Sequence, residues 1–356
     1  MKNSSRLLCL VTALGTILAT NSVLQAQLPV SLTEGVMAIP VPPAAVTQLG
    51  LPFTRTPVAR ATITSASGLA ITVAGAPFTA GALITTPHSA VLLGGTNDGL
   101  SYRITANTTN GLTLATSVPS GITPNSVEVL VVPDWTLGTL FGTTGAQVGQ
   151  LLNVGATVAA ADKVAVDDGA SVTEYFFNSA AGGWRRADGT LPAVDQAGVR
   201  IANQRGVVIN RIAGGPNVDL VISGKVRSGT QRIVTRPGAT AIVSNVFTST
   251  LTLNNSGIRL AVRANATPNG ADKVTIENGG TATTYYLSNN GWRLADGSPG
   301  DQGGVQILPG KAVKIERGGA PPVYPSGWAP GRPKRHFQPV TPPPALTWKV
   351  LQPFAS

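Results

Sequence analysis

The chain has 356 residues, a formal charge of +10, 42% hydrophobic residues and only 12% charged ones. That apolar content excludes an intrinsically disordered chain, and the interruption of every apolar stretch by Gly, Pro or charge excludes a helical membrane protein. With 41 glycines and 27 prolines, the cores it can bury are divided by many turns.

The chain opens on an export signal, residues 1–26. Lys2 and Arg6 form a basic head, residues 7–19 an apolar run shorter than the roughly 20 residues of a bilayer span, and Leu24-Gln25-Ala26 a small-residue cleavage site. The mature protein is therefore expected in the periplasm, on the cell surface or in the extracellular space, with no transmembrane helix. Cys9, the single cysteine, leaves with the signal. Disulfides, thiol nucleophiles and cysteine metal sites are thereby excluded.

Residues 27–145 read as an N-terminal β domain. Strand-like runs at 59–64, 69–73, 100–105, 111–115 and 127–132 are punctuated by turns at Asn97-Asp98-Gly99 and Asn110-Gly111. A helix is expected only at 146–152, where a second β region, 146–320, begins.

That second region contains an internal recurrence. Ala161-Asp162-Lys163-Val164 returns as Ala271-Asp272-Lys273-Val274, Tyr175-Phe176 as Tyr285-Tyr286, and Gly183-Trp184-Arg185 as Gly291-Trp292-Arg293. Ala187-Asp188-Gly189 returns as Ala295-Asp296-Gly297, and Asp195-Gln196 as Asp301-Gln302. The copies span about 161–213 and 271–319. Each reads as a β-meander of about five short strands: apolar residues alternate through 273–277, the period of a half-buried strand, and Asn290-Gly291 is a hairpin turn.

Residues 321–356 hold ten prolines, four basic residues and no acid. This composition predicts an extended or disordered tail that forms no sheet ladder. The fold expectation is all-β: an N-terminal barrel or sandwich-like domain, a second β region with a duplicated meander, and a Pro-rich basic tail.

Several pieces together resemble an uncharacterised paralogous family of secreted proteins known chiefly from verrucomicrobia. They are Leu51-Pro52-Phe53-Thr54-Arg55, Ile104-Thr105-Ala106-Asn107-Thr108, the stretch Trp135-Thr136-Leu137-Gly138-Thr139-Leu140-Phe141, and the Ala-Asp-Lys-Val, Tyr-Phe and Gly-Trp block. The likeness runs from about Val36 to Gly319. It implies export and an all-β build, and it brings no catalytic residue or activity with it. Many relatives end in a hydrophobic sorting segment, from which the Pro-rich tail departs.

Candidate chemistry is sparse. The histidines are His88 and His336, and neither accompanies a G-x-S-x-G nucleophile elbow. Asp188 with Asp195, and Asp296 with Asp301, could serve as the carboxylate pair of a glycoside hydrolase, but Ala-Asp-Gly is also good turn chemistry. Asp162, Asp167 and Asp168 cluster like calcium ligands, yet two of them become Glu277 and Asn278 in the second copy and the spacing of an EF-hand is missing. The Gly-rich stretch 138–149 lacks the ending of a phosphate loop. No catalytic residue, metal or cofactor is expected, and the protein reads as a non-enzyme.

The binding candidates are aromatic. Tyr175 with Trp184, and Tyr285 with Trp292, lie on consecutive strands, where exposed rings flanked by Arg185, Asp188, Arg293 and Asp296 would stack on sugars and buried rings would fill the meander cores. The basic group Arg332-Pro333-Lys334-Arg335-His336 suits anionic envelope polymers or glycans rather than nucleic acid. The functional expectation is an exported structural or interaction protein, with carbohydrate binding as the alternative and a carboxylate glycosidase as a remote one.

Overall fold

The computed structural model describes residues 33–318, except 190–193, 228 and 236–237, together with the backbone of Leu346–Val350. The expected export signal, His336, the basic group 332–336 and most of the tail lie outside the described residues. Strands take up 44% of the structure and helices 7%, so the protein is all-β.

Three strands, β1 (Glu34–Val41), β2 (Val46–Leu49) and β3 (Phe53–Thr54), precede six that close a barrel. These are β4 (Ala59–Ser67), β5 (Ala70–Val73), β6 (His88–Leu93), β7 (Ser101–Asn107), β8 (Gly111–Leu114) and β9 (Glu128–Pro133), joined in the order β4-β5-β8-β7-β6-β9. Alternation explains the closure: Ile71 and Val73, Leu112 and Leu114, and Val129 and Val131 are two residues apart on their strands, and all six are buried together with Ile63, Leu92 and Ile104. Sequence periodicity missed β6, because its run His-Ser-Ala-Val-Leu-Leu is buried almost throughout and does not alternate.

The expected N-terminal domain starts too early. β1 to β3 take no part in the barrel and pair with strands some 170 residues away. Those strands belong to the first meander: β10 (Trp135–Thr136), β11 (Lys163–Asp167), β12 (Val172–Asn178), β13 (Gly183–Arg186), β14 (Arg200–Ile201), β15 (Val207–Asn210) and β16 (Val218–Val226). The order β13-β12-β11-β15-β2 makes a five-stranded sheet, β10 pairs with β14, and β16 lies between β1 and β3.

The second meander has the same plan. β17 (Gln231–Thr235), β18 (Thr240–Ser244), β19 (Leu251–Thr252), β20 (Lys273–Asn278), β21 (Thr281–Ser288), β22 (Gly291–Leu294), β23 (Gln306–Ile307), β24 (Ala312–Glu316) and β25 (Leu346–Val350) follow in order. Its sheet runs β22-β21-β20-β24-β18, β19 pairs with β23, and β17 with β25. Every pairing in this unit has its counterpart in the first.

β25 corrects one point of the tail's reading, that it forms no sheet ladder. Leu346-Thr347-Trp348-Lys349-Val350 contains no proline and pairs antiparallel with β17, Gln231 opposite Val350 and Thr235 opposite Leu346. The helix expected at 146–152 is also corrected: two shorter ones occur, α2 (Leu137–Phe141) and α3 (Gly145–Val148), after a four-residue α1 (Ala82–Thr85) in the barrel. Thr136 and Thr144 start α2 and α3, their hydroxyls accepting from the amides of Thr139 and Gln147. Gly142 and Gly149 end them before either grows longer.

The two five-stranded sheets meet through their edge strands β2 and β18, isologously. Leu49 bridges Lys311 while Arg205 bridges Val243, and the amide of Gly50 donates to the Gly310 carbonyl as that of Ser244 does to the Gln204 carbonyl. Gly50 is forced by this approach, since a Cβ there would lie 2.2 Å from the Lys311 oxygen. The barrel touches the second unit at Gly99, whose carbonyl accepts from the Arg232 amide and the Gln204 side chain and whose Cβ would meet the Thr230 oxygen at 2.2 Å.

Candidate functional site

Each aromatic candidate lies on a central strand of its sheet or beside one. Trp184 on β13 and Trp292 on β22 are 0% exposed, Tyr175 on β12 8% and Tyr285 on β21 6%. Stacking on a sugar needs an open ring face, so the glycan role is corrected: all four fill the meander cores. Each tyrosine and its tryptophan lie on consecutive paired strands as diagonal neighbours, with Trp184 directly opposite Phe177 and Trp292 opposite Leu287. Burial pushes the Tyr175 hydroxyl above its ordinary pKa.

Trp184 is enclosed by Phe141 and Phe177, ring centroids 5.8 Å away in each case, and its indole donates to the Gly142 carbonyl at 2.9 Å. The indole of Trp135 donates in turn to the Phe53 carbonyl. The motif at 135–141 therefore supports the Gly-Trp motif physically, and Leu51 to Thr54 supports both. Trp292 belongs to the second core with Phe247, Leu253 and Ile258, and its indole nitrogen has no hydrogen-bond partner among the described residues.

The paired carboxylates anchor turns. Asp195 accepts from the amides of Trp184 and Ala197, and Asp301 from those of Trp292 and Gly303. Asp188 bonds Arg186 at 2.6 Å on the surface. Asp296 is fully exposed and accepts from the Ser298 amide, which lowers its pKa. Arg185 turns back to its own strand, donating to the Trp184 carbonyl. Asp195, Asp301 and Asp296 accept from local amides, as turn chemistry requires, and Asp188 pairs with a neighbouring arginine.

The three aspartates considered for calcium diverge. Asp168 caps its own turn through the amides of Ala170 and Ser171. Asp162 is buried and accepts from Arg211 at 3.0 Å and from the amides of Asn153 and Ile212. Its counterpart Asp272 accepts from Arg317 and from the amides of Arg263 and Gly318. Asp167 reaches across to the other unit, accepting from the Ile242 amide at 2.8 Å beside Arg205. Reciprocally, Glu277 accepts from the Gln48 amide and from Lys311 at 2.7 Å. Desolvation raises the Asp167 pKa above its ordinary value against the opposing charge of Arg205. Among the described residues, no three His, Cys, Asp or Glu side chains converge as a cation site.

Sequence reasoning overlooked the basic halves of these pairs. The shift of 106 that relates Asp195 to Asp301 also carries Arg205 onto Lys311 and Arg211 onto Arg317, a signal present in the sequence.

One further cluster joins the barrel to the first unit. The Ser89 hydroxyl donates to Asp134 at 2.6 Å, and Arg200 contacts both. His88 is buried on β6, and its Nδ1–H donates to the carbonyls of Leu83 and Thr86, while Ser89 is 0% exposed. Neither is arranged as a base or a nucleophile. Arg227 donates to Asn203 at 2.7 Å beside a cavity of about 10 Å³, room for a single water. Burial, opposed by the Asp134 carboxylate, lowers the Arg227 pKa to about 10.

No protein-family model, curated protein or solved structure matches the chain.

Proposed function

We propose that the protein is an exported, non-enzymatic component of the cell envelope or extracellular space with a structural or interaction role. One observation carries this reading. The side chains with candidate chemistry are engaged in contacts that hold sheets together, and the same contacts occur twice: Asp162–Arg211 with Asp272–Arg317, Asp195 with Asp301, and Trp184 with Trp292. A residue set that recurs in both units as a buried ion pair, a turn anchor and a core tryptophan serves the fold.

The resemblance to a secreted verrucomicrobial family agrees with export. The basic tail adds electrostatic attraction to anionic envelope polymers or glycans. The two matching sheets represent one duplicated unit, with the barrel inserted into its first copy.

Fractionation of the producing cells tests the reading. Retention through a low-salt wash, with release by high salt or by detergent and denaturant, is the expected result. Salt release points to the tail, because attraction is screened to about 3 Å at 1 M salt, and deletion of 321–356 then abolishes retention. Recovery from the cytosol would overturn export, and recovery from the medium alone would overturn envelope attachment.

A further inference from the structure

The last strand of each unit reaches its partner by a different route. In the first unit only residues 211–217 separate β15 from β16. Arg211 holds that short connection in place, its Nη1 donating to the carbonyls of Val41 at the end of β1 and Pro216 just before β16. Eight register pairs then join β16 to β1, from Glu34 with Lys225 to Val41 with Val218. In the second unit Arg317 also holds the end of β17, donating to the Thr235 carbonyl at 3.1 Å. There the connection from β24 to β25 is residues 317–345, with nine prolines, and the ladder has five pairs.

We propose that β25 is an exchangeable strand: residues 346–350 of one copy of the chain complete the β17 edge of a second copy, linking molecules by strand addition. The inference deepens the structural reading above by naming the partner.

Three physical points carry it. The duplicated plan requires a strand on the outer edge of β17, because β1 has one at the equivalent place, and an uncovered edge is a template for pairing. The ladder is formed by backbone groups, so an identical strand from another copy makes the same bonds and exchange sacrifices no contact. The tether sets the balance. A proline-rich connection of that length spans up to about 90 Å, whereas the first unit closes the equivalent gap with seven residues. Effective concentration falls with about the three-halves power of tether length, so pairing within one chain is disfavoured about eightfold relative to a tether matched to the gap. Proline also confines the strand: it excludes ladder formation along most of the tail and leaves 346–350 as a discrete, proline-free donor.

Cysteine pairing tests this in the full-length chain, with Cys9→Ser as background. Val234 and Thr347 are opposite in the β17–β25 register. A chain carrying Val234→Cys and a chain carrying Thr347→Cys are refolded together and oxidised. The expected product is a disulfide-linked dimer of one chain of each kind, at least tenfold above the dimer from either chain alone. The double variant Val234→Cys/Thr347→Cys reports the same contact in both arrangements. Oxidation of the double variant wholly within monomers, with the mixed single variants remaining unlinked, would overturn exchange and leave pairing in cis. Failure of the double variant to oxidise at all would overturn the β17–β25 contact itself. Trp348→Pro, which removes a backbone donor from the β17–β25 ladder, is expected to reduce the mass measured by light scattering to that of the monomer. An unchanged mass would also overturn the proposal. These measurements on purified protein are independent of fractionation, so export and strand exchange fail separately.

Discussion

The two meander units bury the same tryptophan in the same place and surround it differently. Trp184 has a carbonyl for its indole N–H and two aromatic neighbours, all supplied by the segment 135–142 and by β12. Trp292 belongs to a core with aliphatic side chains and Phe247, its N–H unpartnered among the described residues. The difference arises between β3 and β10, where the first unit carries the whole barrel and two capped helices follow. The second unit closes the matching interval, from Thr248 to Leu251, with two residues. An insertion of a complete barrel at this point leaves the pairing of the surrounding strands intact, because it enters at a connection and adds its own core. The shared frame is thus set by the sheets and the buried ion pairs, and the variable part by what the connections bring to the tryptophan.

The largest effect expected from breaking this frame is loss of a buried clasp. Asp162→Ala and Asp272→Ala should each cost about 3–5 kcal/mol, because each leaves a buried arginine uncompensated. Urea denaturation measures both. A loss below about 1 kcal/mol in either would show that the pair is not what holds that unit together.

The next effect sharpens the contrast between the tryptophans. Trp184→Phe removes a hydrogen bond and leaves the Gly142 carbonyl unsatisfied, whereas Trp292→Phe removes a donor that had no partner. The first should therefore cost about 1 kcal/mol more than the second. Equal losses would mean that packing volume alone governs both sites.

A smaller effect concerns pH. The folded-state pKa of Asp167 is raised by desolvation, so the folded protein holds that proton more tightly than the unfolded chain. The associated stability is fully present below the ordinary carboxylate value of 3.8 and is lost as pH rises through the raised one. Asp167→Asn, which cannot ionise, should flatten that decline relative to the wild type in denaturation midpoints from acid to neutral pH. Parallel profiles would sink the assignment. Asp195→Asn and Asp301→Asn should have the smallest effects, about 0.5–1.5 kcal/mol each, since each retains an acceptor for the amides of its turn; larger losses would assign these residues more than turn anchoring.

Much of the fold was legible locally. Alternation in 273–277 and the Asn-Gly turn at 290–291 correspond to β20 and to the β21–β22 hairpin, and five of the six barrel strands were marked as strand-like runs between turns. The sheet partners were not legible: β2 adds to a sheet whose other strands begin more than 100 residues later, and its Gln48 amide bonds Glu277 at a separation of 229 residues. The candidate site was visible only as residue types. Aspartate beside glycine and tyrosine near tryptophan are compatible with a sugar-binding face and with a packed core, and burial decides between them.

By itself, the sequence determined the all-β class, the recurrence that shapes the two meanders, and the absence of cysteine chemistry from residues 27–356. These follow from composition and from a two-residue period, which reports which side chains share a face of a strand. Tertiary structure alone decided what each face meets: the closure of the barrel, the contact of the two sheets through β2 and β18, the burial of Trp184 and Trp292, and the pairing of Asp162 and Asp272 with arginines 49 and 45 residues away. The reason is that hydrogen bonds and ion pairs between strands depend on which edges come together in space, and alternation along a single strand carries no record of its neighbour.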